Sequence, residues 1–333
     1  MDPTGGGPRR ALDCVDGMLG GDRNVWDLTQ DTDGGVPVAL LCERLAGAPI
    51  SWGVCEVPGW GSTLPPTRVL SDMRDLRLRA TELGPVGYLG EDPSEIRDLL
   101  ASFGLVAEGG FVPLVLHDPS VRSAMERATE RAADLLQGSG ATNFVTAVVA
   151  DEQWGRRAPL DSAEWEELCN GLALVEDICA AHGLQQVLHP HIGTLVESAD
   201  DVRRALEGSS VSWCLDSGHL ALGGTDPVEF ATAHADRVGL VHLKDVREPL
   251  AARVRSGELS LLEATRAGVF CSLGRGDVAV GATVRALERA GYAGWYVLEQ
   301  DITIDPGLRP EMVTPLADVR ASIEYLERLS LDE

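Results

Sequence analysis

The run Val238-Gly239-Leu240-Val241-His242-Leu243-Lys244-Asp245 decides the fold. Its apolar, β-branched body reads as a buried strand, and it ends abruptly in histidine, lysine and aspartate. Lys244 is the only lysine in the chain; the other 27 of the 28 basic residues are arginine. Seven more runs of this kind accompany it, at Ala48–Trp52, Leu78–Leu83, Phe111–Leu116, Phe144–Val149, Gln186–His189, Val211–Leu215 and Trp295–Leu298. They are spaced by about one βα unit.

The stretches between the runs carry helix signals. Asp161-Ser162-Ala163-Glu164 resembles a capping box whose helix stops at Gly183. Asp226-Pro227-Val228-Glu229 combines an N-cap, a proline at the first helical position and a glutamate at the third. Ser120–Leu136 ends at Gly138, and Ser198–Leu206 at Gly208. Eight strands alternating with helices predict an α/β chain folded as a (β/α)8 TIM barrel. No GxGxxG follows the first run, which removes the main support for a dinucleotide-binding sheet. The one long interval, Val246–Gly294, is an insertion between the seventh and eighth strands and holds the loop Leu273-Gly274-Arg275-Gly276-Asp277. Residues 1–45 lack periodicity and read as a loosely ordered extension with one short helix at Val36–Leu45. The barrel, a single catalytic domain, is assigned to residues 46–333.

Composition narrows the function. The 333 residues include 52 acidic and 28 basic side chains, a formal charge of −24, and 44% are hydrophobic. Such a chain can bury a large core, but it offers no basic stripe for nucleic acid. No run approaches the roughly 18 apolar residues of a membrane span. The cysteines at 14, 42, 55, 169, 179, 214 and 271 are odd in number and lack a CxxC pair. With no apolar signal segment after Arg9-Arg10, they read as free thiols of a cytoplasmic protein.

In a barrel of this type the chemistry gathers at the C-terminal ends of the strands. Those ends carry Glu82, His117, His189, His191, Asp216, His219, His242, Lys244 and Glu299, with five of the seven histidines among them. Each alone is more often a helix cap or a buried hydrogen-bonding group. His117-Asp118-Pro119 also reads as a turn with a capping aspartate, and His182 and His234 fall on helices as surface or packing residues. Closure of the barrel, however, brings His189, Asp216, His242 and Glu299 from four consecutive strands to one point. Two imidazoles and two carboxylates suit Mn²⁺ or Co²⁺ first, with Fe²⁺ and Zn²⁺ close behind, whereas Mg²⁺ prefers oxygen ligands. A metal there would polarise a carbonyl and stabilise an enolate. Lys244, His191, His219 and Glu299 are the candidate acids and bases. Trp52, Glu82, His117 and the loop around Arg275 are the candidate substrate contacts, Trp52 as an apolar wall for a ring.

The segments Thr81-Glu82-Leu83-Gly84-Pro85-Val86-Gly87-Tyr88-Leu89, His189-Pro190-His191-Ile192-Gly193-Thr194, Leu215-Asp216-Ser217-Gly218-His219, His242-Leu243-Lys244-Asp245 and Leu298-Glu299-Gln300-Asp301 resemble the xylose-isomerase-like sugar isomerase/epimerase superfamily. Within it they resemble most the inosose dehydratases, from about Ala48 to the C-terminus and through the insertion, at Ala267-Gly268-Val269-Phe270 and Gly276-Asp277-Val278. The resemblance implies Asp216, His242 and Glu299 as metal ligands. It places His189 where the superfamily usually has a glutamate. Epimerases of the superfamily work with two metal-bound glutamates, one on each substrate face, and this chain keeps only Glu299 of that pair.

The expected activity is therefore a metal-dependent dehydratase acting on a cyclic polyhydroxy ketone such as 2-keto-myo-inositol through an enolate. The alternatives are an isomerase or epimerase of a keto sugar or inosose, and a C-glycoside-cleaving lyase subunit on the same barrel. The expected partner is a small polyol or keto-sugar, with neither nucleic acid nor membrane; assembly into a homo-oligomer is left open.

Overall fold

The computed structural model describes residues 41–55, 57, 59–155, 158–307 and 314–329. Most of the stretch read as an extension, including residues 36–40 of its expected helix, lies outside the described residues. The strands, in chain order, are β1 Leu45–Gly47, β2 Ala80–Thr81, β3 Val106–Ala107, β4 Gly109–Leu114, β5 Asn143–Val148, β6 Gln185–Leu188, β7 Ser212–Asp216, β8 Val238–Leu243, β9 Asp245–Val246, β10 Phe270–Cys271 and β11 Tyr296–Leu298. Nine of them form one parallel sheet in the order β3-β2-β1-β11-β8-β7-β6-β5-β4.

The two ends of that order are consecutive in the chain. β3 pairs with β2, β4 pairs with β5, and Glu108 alone separates β3 from β4. The Glu108 amide donates to Thr81 O at 2.9 Å, and its carbonyl accepts from the Thr142 and Asn143 amides. β3 and β4 are thus one bent stave, and the sheet closes into the expected eight-stave barrel.

Helices fill the crossovers. The capping box expected at Asp161 forms and starts helix Ser162–Ala181, and a second one at Ser198 starts helix Ala199–Gly208. Asp226 caps Pro227–His234 as expected. The helix beginning at Arg122 runs on through Gly138 to Ser139 and ends at left-handed Gly140, because Gly138 packs face-on against Pro93. The first strand also lies earlier than the sequence pattern suggests. Pro49 has no N–H to give to a ladder, so Pro49–Trp52 turns as a 3₁₀ helix and β1 begins at Leu45, inside the stretch read as extension.

Side-chain size divides the core into two layers. Ala46, Ala80, Val145, Val187, Cys214, Leu240 and Val297, one from each of seven staves, fill the barrel interior with small and branched groups. Leucine, aromatic and other large side chains pack between strands and helices. In the insertion, β9 and β10 pair antiparallel beside helices Glu248–Arg255 and Leu261–Arg266, on a small core of Val246, Ala251, Ala264, Val269 and Phe270. No described helix is long and apolar enough to cross a membrane, and the six described cysteines form no disulfide.

Candidate active site

Asp216 is both the last residue of β7 and the N-cap of helix Ser217–Gly223. Its Oδ1 accepts the His219 amide at 2.7 Å, which aims Oδ2 at the barrel axis, where among the described residues Oδ2 has no hydrogen bond. The next strand locks onto this turn. Ser217 Oγ donates to the Lys244 carbonyl at 2.7 Å and accepts the Lys244 amide at 2.9 Å. Gly218 lies flat on the Lys244 side chain; a Cβ at 218 would come within 2.5 Å of Lys244 Cβ. These contacts explain the glycine and serine of the Asp216–His219 motif. Asp245 points away from this cluster. Its carboxylate accepts the amides of Gly274, Gly276 and Val278, tying the insertion loop to the end of β8.

His189, Asp216, His242 and Glu299 are buried, and one ligand atom from each lies within 4.8 Å of the other three. Neighbouring groups fix both imidazoles. His189 Nδ1 stands 3.0 Å from the Pro190 carbonyl and must donate to it, so Nε2 carries a lone pair. That lone pair faces Asp216 Oδ2 at 3.4 Å and His242 Nδ1 at 3.2 Å. His242 Nε2 stands 3.1 Å from Glu82 Oε1 and donates to it, which leaves Nδ1 facing Glu299 Oε2 at 3.2 Å. Two imidazole lone pairs and two carboxylate oxygens thus point at one another, an arrangement that repels itself unless a cation lies between them. Metal-binding imidazoles characteristically donate their outer N–H to a carbonyl or carboxylate, as both do here. The donor set fits a borderline divalent ion. Without the ion a proton collects instead: burial opposes the charge on His242, yet Cys214, Glu299 and Glu82 hold its pKa well above the ordinary value.

A second group, His191, His219 and Asp301, also brings three potential ligand atoms together. It fits a metal less well, because the Ile192 amide donates to His219 Nδ1 at 3.3 Å, which puts the proton on Nε2.

Lys244 is buried between three carboxylates. Its Nζ lies 2.8 Å from Glu299 Oε2, 3.0 Å from Asp301 Oδ1 and 3.3 Å from Asp216 Oδ2. Burial works against the ammonium, but Asp216, Asp301 and Glu299 outweigh it and hold the Lys244 pKa well above its usual value. Burial, with His189 and Lys244 nearby, pushes His191 down to about 3, so this imidazole is neutral. Burial and Glu299 push Asp301 up to about 6 against the pull of Lys244.

A cavity of about 350 Å³ opens over these groups. Its polar floor includes Glu82, His189, His191, Lys244, Glu299 and Asp301, and its walls include Trp60, Phe111, Trp154, Ile192 and Leu261. Three expected substrate contacts do not line it. Trp52 is fully buried below, its indole N–H donating to Asp72 Oδ2 at 3.0 Å. His117 is half-buried away from the cavity, and Arg275 is exposed on the loop that wraps Asp245. Glu82 both reaches the cavity and anchors His242. His219 is buried beneath His191, their ring centroids 3.8 Å apart and their planes tilted by 33°.

Residues 73–329 match the xylose isomerase-like TIM barrel family. The chain belongs to this family. An inosose dehydratase of Geobacillus kaustophilus is 32% identical over 299 residues, covering 86% of this chain and 94% of the relative. Among solved structures, an L-ribulose 3-epimerase superposes with a TM-score of 0.64 at 16% identity, covering 86% of this chain and 94% of that one. An IOLI protein with a binding zinc atom superposes at 0.65 and 12% identity, covering 86% and 98%. This xylose isomerase-like barrel is an enzyme.

Sequence reasoning passes over Asp301, Phe111, Trp154 and Glu108. Asp301 stands two residues beyond Glu299, the strand period that returns a side chain to the same face, and that signal is readable. Trp154 lies in a loop, where no periodicity points to it.

Proposed function

We propose that this chain is a metal-dependent carbon–oxygen lyase that dehydrates a cyclic polyhydroxy ketone, with 2-keto-myo-inositol as the substrate to try first. The observation that carries the reading is the Glu299–Lys244 pair, 2.8 Å apart on the floor of one cavity, beside four converging ligand atoms. The inosose dehydratase relative supports the choice of substrate.

A divalent ion held by His189, Asp216, His242 and Glu299 would supply Lewis-acid polarisation of the ketone. Glu299 takes the proton from the carbon next to the ketone. Lys244, held as an ammonium, gives a proton to the departing β-hydroxyl and regains one from Glu299. One C–H and one C–O bond break: the C–H electron pair becomes the double bond of an enol, and the C–O pair leaves with the hydroxyl oxygen, which departs as water. The enol then ketonises to a dione. His191 donates Nδ1–H to the Ile192 carbonyl at 2.8 Å, so its Nε2 is free to accept a ring hydroxyl. A single cavity-facing carboxylate among the ligands removes a proton from one face only, which favours elimination over epimerisation.

The test is product analysis with metal-loaded protein and 2-keto-myo-inositol in D₂O. The expected product has lost one water and carries a dione, and a chelator abolishes its formation. Recovery of substrate-mass material with solvent deuterium at carbon, and no loss of water, would assign an isomerase or epimerase instead.

A further inference from the structure

Trp154 has a backbone φ of 57°, one of two described non-glycine residues in the left-handed region. A bulky residue is strained there and persists only where its surroundings enforce it. The enforcement is local. Asp151 Oδ1 accepts the amides of Gln153 and Gly155, both at 2.9 Å, and the Trp154 amide donates to the Asp151 carbonyl at 3.2 Å. Gly155 is required by the same turn, since a Cβ there would collide with the Asp151 carboxylate. The turn presents the indole at the cavity, nearly parallel to Phe111, with ring centroids 6.0 Å apart and planes 12° apart. Phe111 in turn stands edge-on to His189, centroids 5.8 Å apart and planes at 88°. An aromatic wall therefore runs from a proposed metal ligand to the cavity mouth.

We propose that Trp154, held in the left-handed region and stacked on Phe111, is the surface against which a six-membered polyol ring lays its axial C–H bonds, and that it selects ring ketones over open-chain ketoses. A cyclitol with equatorial hydroxyls has a flat face of C–H bonds and a polar rim. The face suits an aromatic plane, and the rim suits the carboxylates, Lys244 and His191 on the floor. An open-chain sugar has no such face. This deepens the dehydratase reading and rests on it for the identity of the ketone, while the choice of ring over chain is read separately.

Metal-loaded full-length protein and its Trp154→Ala, Trp154→Gly and Trp154→Phe variants are titrated calorimetrically with myo-inositol and with D-glucitol, an open-chain hexitol. KM and kcat are measured on 2-keto-myo-inositol. Wild type should bind myo-inositol more tightly than D-glucitol. Trp154→Ala and Trp154→Gly should weaken myo-inositol about fivefold or more, leave D-glucitol unchanged, and raise KM more than they lower kcat; Trp154→Phe should keep most of the preference. Because glycine alone relieves the backbone strain, Trp154→Gly should melt about 2 °C above Trp154→Ala. Unchanged myo-inositol binding in both truncations, or an equal loss for both polyols, overturns the proposal. Phe111→Leu, a milder change in the same wall, gives the same reading if the truncations fail to fold. Ring preference that depends on Trp154 in a protein with no dehydratase activity would sink the dehydratase reading and leave this inference standing.

Discussion

Replacing Lys244 with methionine keeps most of the side-chain volume and removes one positive charge from among three carboxylates. The ion pairs at 2.8, 3.0 and 3.3 Å are each worth about 5 kcal/mol of gross attraction at an effective dielectric near 20. Desolvation of a 2% exposed ammonium offsets much of that sum. What remains is the cost of stranding buried carboxylates, about 3–5 kcal/mol when one partner of a buried pair is deleted. Urea unfolding at pH 7 with a chelator present should show that loss, and it should shrink as the pH falls and the carboxylates protonate. The ammonium also repels a divalent ion at the adjoining ligands, so Lys244→Met should bind Mn²⁺ about tenfold more tightly while losing turnover by about a hundredfold or more. A stability loss below about 1 kcal/mol, or weaker Mn²⁺ binding, would refute the picture of a trapped ammonium.

Glu82→Gln should still load one ion, with affinity down about tenfold because the charged partner of His242 Nε2 is gone; complete loss of the ion, checked by elemental analysis, would make Glu82 a direct ligand. Glu108 is fully buried, accepts from Asn143 Nδ2 at 2.6 Å, and is pushed up to about 8 by burial and by Glu82. Its folded pKa lies above its unfolded value near 4.3, so its stability contribution is complete below that value and is lost as the pH rises through 8. Glu108→Gln should remove this dependence and lose less stability than wild type between about pH 5 and pH 9, by a few kcal/mol; matching unfolding profiles would show that Glu108 is not held as a neutral acid.

The barrel is legible in the sequence because its signals are local. Apolar runs ending in polar tips, and caps at Asp161, Ser198 and Asp226, each lie within a few residues of one another. The convergence of His189, Asp216, His242 and Glu299 follows from closure alone. What stays hidden depends on through-space packing. Trp52 closes a short 3₁₀ helix and Trp154 lies in a loop, and the sequence does not say which is swallowed by the core. The answer lies in the Asp72 acceptor below Trp52 and the Asp151 turn under Trp154. Arg275 reads as a substrate contact, whereas its loop is held by backbone amides on Asp245 and the side chain is exposed. Lys244 stands out by composition, but its charge state depends on Asp216, Asp301 and Glu299 closing around it through space.

The location of the bound ion tests the proposed chemistry most directly. In crystals of the Mn²⁺-loaded protein, anomalous scattering should place one ion per chain between His189 Nε2, Asp216 Oδ2, His242 Nδ1 and Glu299 Oε2, and the peak should vanish in Asp216→Ala with the barrel intact. An ion found on His191, His219 and Asp301, or no ion in a protein that still dehydrates the ketone, would contradict it.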